Sequence, residues 1–395
     1  MSGRIIKACA LILLTGSIML MALAPKAEEE ASPLLPGLSS GAYPQAATPG
    51  FEVPAAAMAV METESGEVLY AQNCDSPLPM ASTTKIMTAL VVLENCDTEE
   101  LVRIPEEAVG TEGSSVYLRS GESMKVIDLL YGLMLASGND AAVALAIHVG
   151  GDIEGFAEMM NRRAVEMGLE KTHFVTPNGL HAEGHVTTAY ELCVIAREAL
   201  RSETFRQIVS AKYYQTTSGF APRTFKNKNS LLWDYEGAFG VKTGYTMAAG
   251  RCLVFGAERE GMRVIGVLLN CRPMFETAEK LLDKAFESFI TQEIVSAGER
   301  MGEVYIENGA ENVLEVCAKW SIITVTQRSH PRSFRTSVEV WPELSAPIEA
   351  GSTVGVVKVY EGDRLIGSTE LIAARTVRGR DAAFWWRLLT SVFAA

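Results

Sequence analysis

The 395-residue chain has no C-x-x-C pair, no extended basic stretch and only five histidines. Each shortage removes a class of chemistry. With a formal charge of -13 and no basic run, nothing is available to neutralise a phosphate backbone, so a nucleic-acid partner is not expected. Seven cysteines scattered over a chain this long do not make a small stapled scaffold. Buried free thiols are the expectation, including Cys252 and Cys271 in neighbouring predicted strands. The one close histidine pair, His181-Ala-Glu-Gly-His185, has a glycine and a loop setting where a zinc-binding helix needs helical spacing. No metal and no cofactor are called for. No repeat of solenoid type is visible, and the apolar and charged fractions (48% and 21%) are ordinary for a globular protein of about two domains.

The two ends differ from the rest. Arg4 and Lys7 precede an apolar run from Ala8 to Ala24, with small residues Ala22 and Ala24 near its end, so residues 1–27 read as a secretory signal. Residues 28–54, rich in Ala, Pro, Gly and Ser and without periodicity, read as a spacer. At the other end, Arg375, Arg378, Arg380 and Arg387 face only Asp381, on an otherwise acidic protein. Trp385, Leu388, Leu389 and Val392 share one face of a helical wheel, which makes residues 376–395 an amphipathic helix suited to a membrane interface and too short to span one. The expected location is outside the cell, peripheral to the membrane through this tail.

Between the ends, an α+β catalytic domain is expected over 55–290. Ala57–Thr63 and Glu67–Ala71 form a hairpin around Glu64-Ser-Gly66, and Arg251–Ala257 with Met262–Leu269 form another. Helical spacing follows Ser82 and recurs over 124–135, from 139 to Gly150-Gly151, and over 156–167, 190–200 and 276–289. Strands at both ends with helices between imply one antiparallel sheet covered by helices. Six short apolar runs over 291–375 then predict a smaller all-β domain.

Three short motifs stand in fixed order: Ser82-Thr-Thr-Lys85, Ser137-Gly-Asn139 and Lys242-Thr-Gly244. Ser82 opens a helix, where its N–H is unpaired, and Lys85 lies one turn on, within reach of the serine oxygen. A lysine is useless as a base unless burial and a second cation lower its pKa; Lys242 is the natural second cation. Ser137 can relay a proton and Asn139 can hold a substrate amide. Each motif alone has a bland alternative, a helix cap or a strand-edge turn. Lys242 and Thr243 on a strand suit a substrate carboxylate, and Gly244 allows close approach. The N–H groups of Ser82 and Tyr245 suit an oxyanion hole. A phosphate-loop reading fails, because no glycine stands at the required place before Lys242.

The triplet resembles that of the serine-type D-Ala-D-Ala carboxypeptidases, the low-molecular-mass penicillin-binding proteins. The resemblance extends over nearly the whole chain. Thr176-Pro-Asn-Gly-Leu180, His185-Val-Thr-Thr-Ala-Tyr190 and Asn229-Ser-Leu-Leu-Trp233 are similar to secondary landmarks of that family, with Glu191 where the family often has Asp. It implies a β-lactamase/transpeptidase-like fold and a peptidoglycan stem peptide ending in D-Ala-D-Ala as substrate. It also implies covalent inhibition by β-lactams, with Ser82 acylated, Lys85 as base, and Ser137, Asn139, Lys242, Thr243 and Gly244 completing the site. A β-lactamase shares the triplet, but the class A deacylating glutamate has no counterpart in Lys171–Pro177, and Glu158 falls in a predicted helix. A non-catalytic wall-binding protein would be expected to have lost the serine or the lysine.

Overall fold

The computed structural model describes residues 46–380 together with Trp385, Trp386 and Thr390. The expected signal and most of the spacer lie outside the described residues, as does the tail beyond Arg380 apart from those three positions.

Strands β1 (Ala55–Glu62) and β2 (Val68–Gln72) form the expected hairpin, its turn tied by the Glu62 carboxylate, which accepts from Ser65 N and Ser65 Oγ at 2.7 Å each. Ordered chain begins earlier than expected. Ala47 bridges to Tyr70 and Val53 is buried in the core, so the end of the predicted spacer is part of the body. A 3-10 turn, Ala81–Thr84, leads into α1 (Lys85–Asn95). Strands β3 (Leu101–Arg103) and β4 (Ser123–Lys125) pair, so the helix expected from residue 124 starts only as α2 (Val126–Tyr131) and widens into a π-turn over Gly132–Ala136. Pairing of Met124 with Val102 overrides the helical spacing there.

Helices α3 (Asn139–Gly150), α4 (Ile153–Glu166), α5 (Ala189–Ala199) and α6 (Glu203–Ser210) follow. The last three are capped by Asp152, Thr188 and Ser202, whose side chains accept backbone N–H groups two or three residues into the first turn. A short ribbon of β5 (Tyr213–Gln215) and β6 (Thr224–Lys226) and helix α7 (Leu231–Asp234) precede three long strands: β7 (Ala238–Thr246), β8 (Gly250–Arg259) and β9 (Met262–Cys271). Helix α8 (Met274–Ser288) closes this region.

The main sheet is antiparallel in the order β2-β1-β9-β8-β7. Ala57, Ala59, Met61, Val254 and Val267 point into a core shared with α1, α3 and α5. Alternate residues Met58, Val60, Leu253, Phe255 and Leu268 point to the other side, against Leu281, Leu282 and Ala285 of α8. Because both faces are covered, β1 is apolar throughout rather than alternating. β7 is an edge strand, and its free side faces the Ala81–Thr84 turn.

The all-β region holds β10 (Phe289–Val295), β11 (Arg300–Tyr305), β12 (Val313–Ala318), β13 (Ile322–Gln327), β14 (Arg335–Val340), β15 (Thr353–Glu361) and β16 (Arg364–Ala373). Five strands form one sheet in the order β11-β12-β16-β15-β14, while β10, not expected from the sequence, pairs with β13. The two regions are joined through Arg332, whose guanidinium binds Glu67 at 2.8 Å and Glu361 at 2.7 Å. The β region continues past residue 375: Val377 bridges to Ile348, and Arg380 Nε donates to Gly309 O at 2.8 Å. Arg375 likewise pairs with Glu311. Two of the four arginines assigned to the basic tail therefore belong to the folded surface. All six described cysteines are free, Cys252 and Cys271 among them.

Candidate active site

Ser82 sits on the 3-10 turn, one residue after Ala81, whose φ of +50° is unusual for a residue with a Cβ. The turn is wedged between two glycines. A Cβ on Gly244 of β7 would lie 3.1 Å from Ser82 N, so close approach of the edge strand to Ser82 depends on that glycine, as the sequence suggests. A Cβ on Gly179 would lie 2.0 Å from Ala81 O, and its φ of +82° also suits only glycine.

Lys85 is fully buried at the start of α1. Its Nζ lies 3.0 Å from Ser82 Oγ, 2.7 Å from Asn139 Oδ1 and 2.6 Å from Asn178 O. Burial holds its pKa well below the usual lysine value, Lys242 and then Lys228 push it further down, and Asp140 opposes them. The two carbonyl oxygens match the two hydrogens of a neutral amine, which leaves the nitrogen lone pair for the Ser82 hydroxyl. This is the geometry of a base beside its nucleophile.

Ser137 is buried and left-handed (φ +62°) at the end of the π-turn. It is not among the three partners of Lys85. Asn139 opens α3, and both ends of its amide are engaged: Oδ1 with Lys85, and Nδ2 donating to Glu112 O at 2.5 Å. Oδ1 and one of the two Nδ2 hydrogens thus position the amide against Lys85 and the Glu112 loop, while the second N–H has no protein acceptor among these bonds. Asp140 beside it accepts from Val116 N (3.0 Å), Leu118 N (3.1 Å) and Ser115 Oγ (2.6 Å), fixing the rim loop that presents exposed Tyr117.

Lys242 is buried on β7, its Nζ donating to Thr243 O at 2.9 Å. Burial and the neighbouring Lys228 lower its pKa to about 7. Thr243 and exposed Tyr245 continue along the same free edge. Lys228, a third cation not expected from the sequence, is solvent-exposed, is held below its ordinary pKa by partial desolvation and donates to Ser114 Oγ at 2.9 Å. An anionic group entering between these amines would relieve their mutual repulsion.

The loop over 175–185 supplies what the sequence reading left without a role. Asn178 O receives Lys85, and Pro177 O receives Thr88 Oγ1 at 2.6 Å. His185 is buried, 2.8 Å from Thr84 Oγ1 through Nε2 and accepting Val175 N–H at Nδ1 (3.0 Å). An Nδ1 that accepts is unprotonated, so Nε2 carries the hydrogen and donates to Thr84, which donates onward to Ala81 O at 2.8 Å. His185 is thus committed to the Ala81–Thr84 turn that carries Ser82. Glu191 accepts from Glu170 N, Lys171 N and Thr172 Oγ1, anchoring the base of the same loop. Glu158 lies exposed on α4.

Burial, reinforced by His173 and His181, lowers the His185 pKa from 6.5 to about 4. A depressed pKa means that the unfolded chain binds the proton more tightly. The contribution is therefore complete above pH 6.5 and lost as pH falls toward 4, amounting to about 3 kcal/mol. Urea unfolding of wild type and His185→Gln at pH 7 and pH 4.5 tests this. The variant should lose less stability over that interval, and equal losses would refute the assignment.

Comparison with known proteins agrees with this geometry. Residues 43–272 match the D-alanyl-D-alanine carboxypeptidase family of peptidases, and residues 289–378 match the C-terminal domain of penicillin-binding protein 5. The chain is similar to D-alanyl-D-alanine carboxypeptidase DacF of Bacillus subtilis, with 31% identity over 81% of this chain and 85% of that one. It is 32% identical to DacD of Escherichia coli over 82% of this chain and 87% of that one. Among solved structures it resembles penicillin-binding protein 5 of Haemophilus influenzae, with a TM-score of 0.68, 29% identity, and coverage of 83% of this chain and 98% of that one. The chain belongs to the D-alanyl-D-alanine carboxypeptidase family and is a hydrolase of the penicillin-binding protein type.

Proposed function

We propose that this carboxypeptidase acts through an acyl-enzyme on Ser82, with Lys85 as its base, on a peptidoglycan stem peptide ending in D-Ala-D-Ala. Neutral Lys85 takes the hydroxyl proton as Ser82 Oγ bonds to the carbonyl carbon of the penultimate D-alanine. The N–H groups of Ser82 and Tyr245 face the resulting oxyanion. The C–N bond then breaks, and the proton held by Lys85 passes to the departing D-alanine amine, with Ser137 at the turn beside Asn139 available as relay. Water hydrolyses the ester and restores the serine. Lys242 and Thr243, helped by Lys228, receive the terminal carboxylate, whose charge restores the ammonium form of Lys242. The observation that carries this reading is the buried amine of Lys85, 3.0 Å from Ser82 Oγ, with its other two partners both acceptors. Covalent capture of a β-lactam by the same oxygen follows from the same chemistry.

Incubating purified protein with a D-Ala-D-Ala peptide and measuring free D-alanine tests the proposal. Wild type should release it and Ser82→Ala should not; release by a folded Ser82→Ala protein would overturn it.

The location belongs to the same proposal. An apolar run behind a basic start, and an amphipathic tail with Trp385 and Trp386, support export and a peripheral position on the outer face of the membrane. Among the described residues no helix is long and apolar enough to cross a membrane. Truncation after Arg380 should move the protein from the membrane pellet to the supernatant. Unchanged sedimentation would rule out the tail as the anchor.

A further inference from the structure

The two helices that carry Lys85 and Asn139 meet a second time, far from the cleft. Their first residues are hydrogen-bonded to each other at 2.7 Å, and their last turns converge again, so α1 and α3 run in the same direction. At the far end Cys96 caps α1, His148 lies in the last turn of α3, and Glu100 stands on the loop between α1 and β3. By helical rise this point is roughly 15 Å from the catalytic lysine. Donor atoms of Cys96, Glu100 and His148 lie within 4.8 Å of one another, with His148 Nε2 at 3.3 Å from Glu100 Oε2.

Two independent features favour a cation there. Cys96 and His148 sit at the carbonyl ends of two helices, where partial negative charge favours a cation. The loop is also held in place beforehand: Glu100 Oε1 accepts Asp97 N–H at 2.9 Å, Glu100 O accepts Val126 N–H at 2.9 Å, and Thr98 O accepts Ile127 N–H at 2.9 Å. The neighbouring Lys125 is committed to Glu99 at 2.7 Å, so it does not already neutralise Glu100.

We propose that Cys96, Glu100 and His148 bind one borderline-soft divalent cation of the zinc class, clamping the distal ends of α1 and α3. Sulfur, imidazole nitrogen and carboxylate oxygen form a set suited to zinc and ill-suited to magnesium or calcium, with water completing the tetrahedron. Ligands around such an ion stand about 3.5 Å apart, so the three side chains need only contract slightly. On binding, the Cys96 thiol releases its proton to solvent and the thiolate becomes the ligand. The clamp is distinct from the reaction, which needs no metal, and it adjusts the rigidity of the helix pair that aligns Lys85 with Asn139.

Titration of the metal-free, purified protein with cobalt chloride tests the proposal. The expected result is one Co2+ per chain, with a thiolate-to-cobalt charge-transfer band and the visible bands of a tetrahedral site. Zinc should displace the cobalt, raise the Tm, and slow alkylation of Cys96 at least tenfold. The thiolate band should vanish in Cys96→Ser, weaken in Glu100→Gln and His148→Ala, and persist in Cys317→Ser, the other partly exposed thiol among the described residues. D-alanine release by each variant reports that it is folded. Absence of a thiolate band in wild type, or its persistence in Cys96→Ser, would overturn the assignment.

Discussion

Lys85→Ala should lower kcat/KM for a D-Ala-D-Ala peptide by roughly 10³- to 10⁴-fold, the upper range for loss of a general base. Stability should change far less. The substitution strands Asn139 Oδ1 and Asn178 O, each at a cost of about 1–3 kcal/mol, but it also removes an amine whose charged form the fold disfavours. These effects oppose each other, so activity and Tm should separate: almost no D-alanine release from a protein that still melts cooperatively. Lys85→Arg should be equally inactive, because a guanidinium does not lose its proton at working pH. A Lys85→Ala enzyme keeping more than about a tenth of the wild-type rate would show that another group removes the Ser82 proton.

The second large effect is expected at a residue with no functional group. Gly179→Ala places a methyl carbon 2.0 Å from Ala81 O, 2.5 Å from Ala81 C and 2.9 Å from Thr84 Oγ1, at a φ of +82°. A left-handed alanine alone costs about 1–2 kcal/mol. The clash adds to this because its partner is backbone, which must move by about an ångström, and the total should reach roughly 3–5 kcal/mol. The backbone that moves carries Ser82, so activity should drop about 10²-fold even in the protein that remains folded. Gly168→Ala is the control. Its φ is +73°, but nothing lies within 4 Å of the added carbon, so only the conformational cost applies. Tm and D-alanine release for both variants check the prediction. Equal effects at the two positions would mean that contact with Ala81 does not matter.

What was legible in the sequence was local. Ser82 and Lys85, the proposed nucleophile and base, are three residues apart, and one turn of backbone brings them together whatever the tertiary fold. Lys242-Thr-Gly244 reads as a strand, and Gly244 as a point of close approach, because a missing side chain is itself a signal. The all-β region reads as short apolar runs bounded by turn residues, as at Val313–Ala318, which is β12. What escaped depends on contacts distant in sequence. Asn178 O reaches Lys85 across 93 residues and His185 reaches Thr84 across 101, and neither motif betrays its partner. Lys228 looks like any surface lysine until the fold brings its charge close to Lys85 and Lys242. The type of Asn139 suits an amide ligand, but its two internal hydrogen bonds, to Lys85 and Glu112, are visible only in the fold. The helix expected through Met124 failed because strand pairing with Val102, more than twenty residues earlier, outweighs local spacing there.

The central claim is that Ser82, activated by Lys85, forms a covalent acyl-enzyme. The most direct test is mass spectrometry of the protein after incubation with benzylpenicillin, first intact and then digested. The account predicts addition of one penicillin per chain, mapped to the peptide carrying Ser82 and absent from Ser82→Ala. A wild-type protein that stays unmodified, or an adduct that persists in Ser82→Ala, would contradict it.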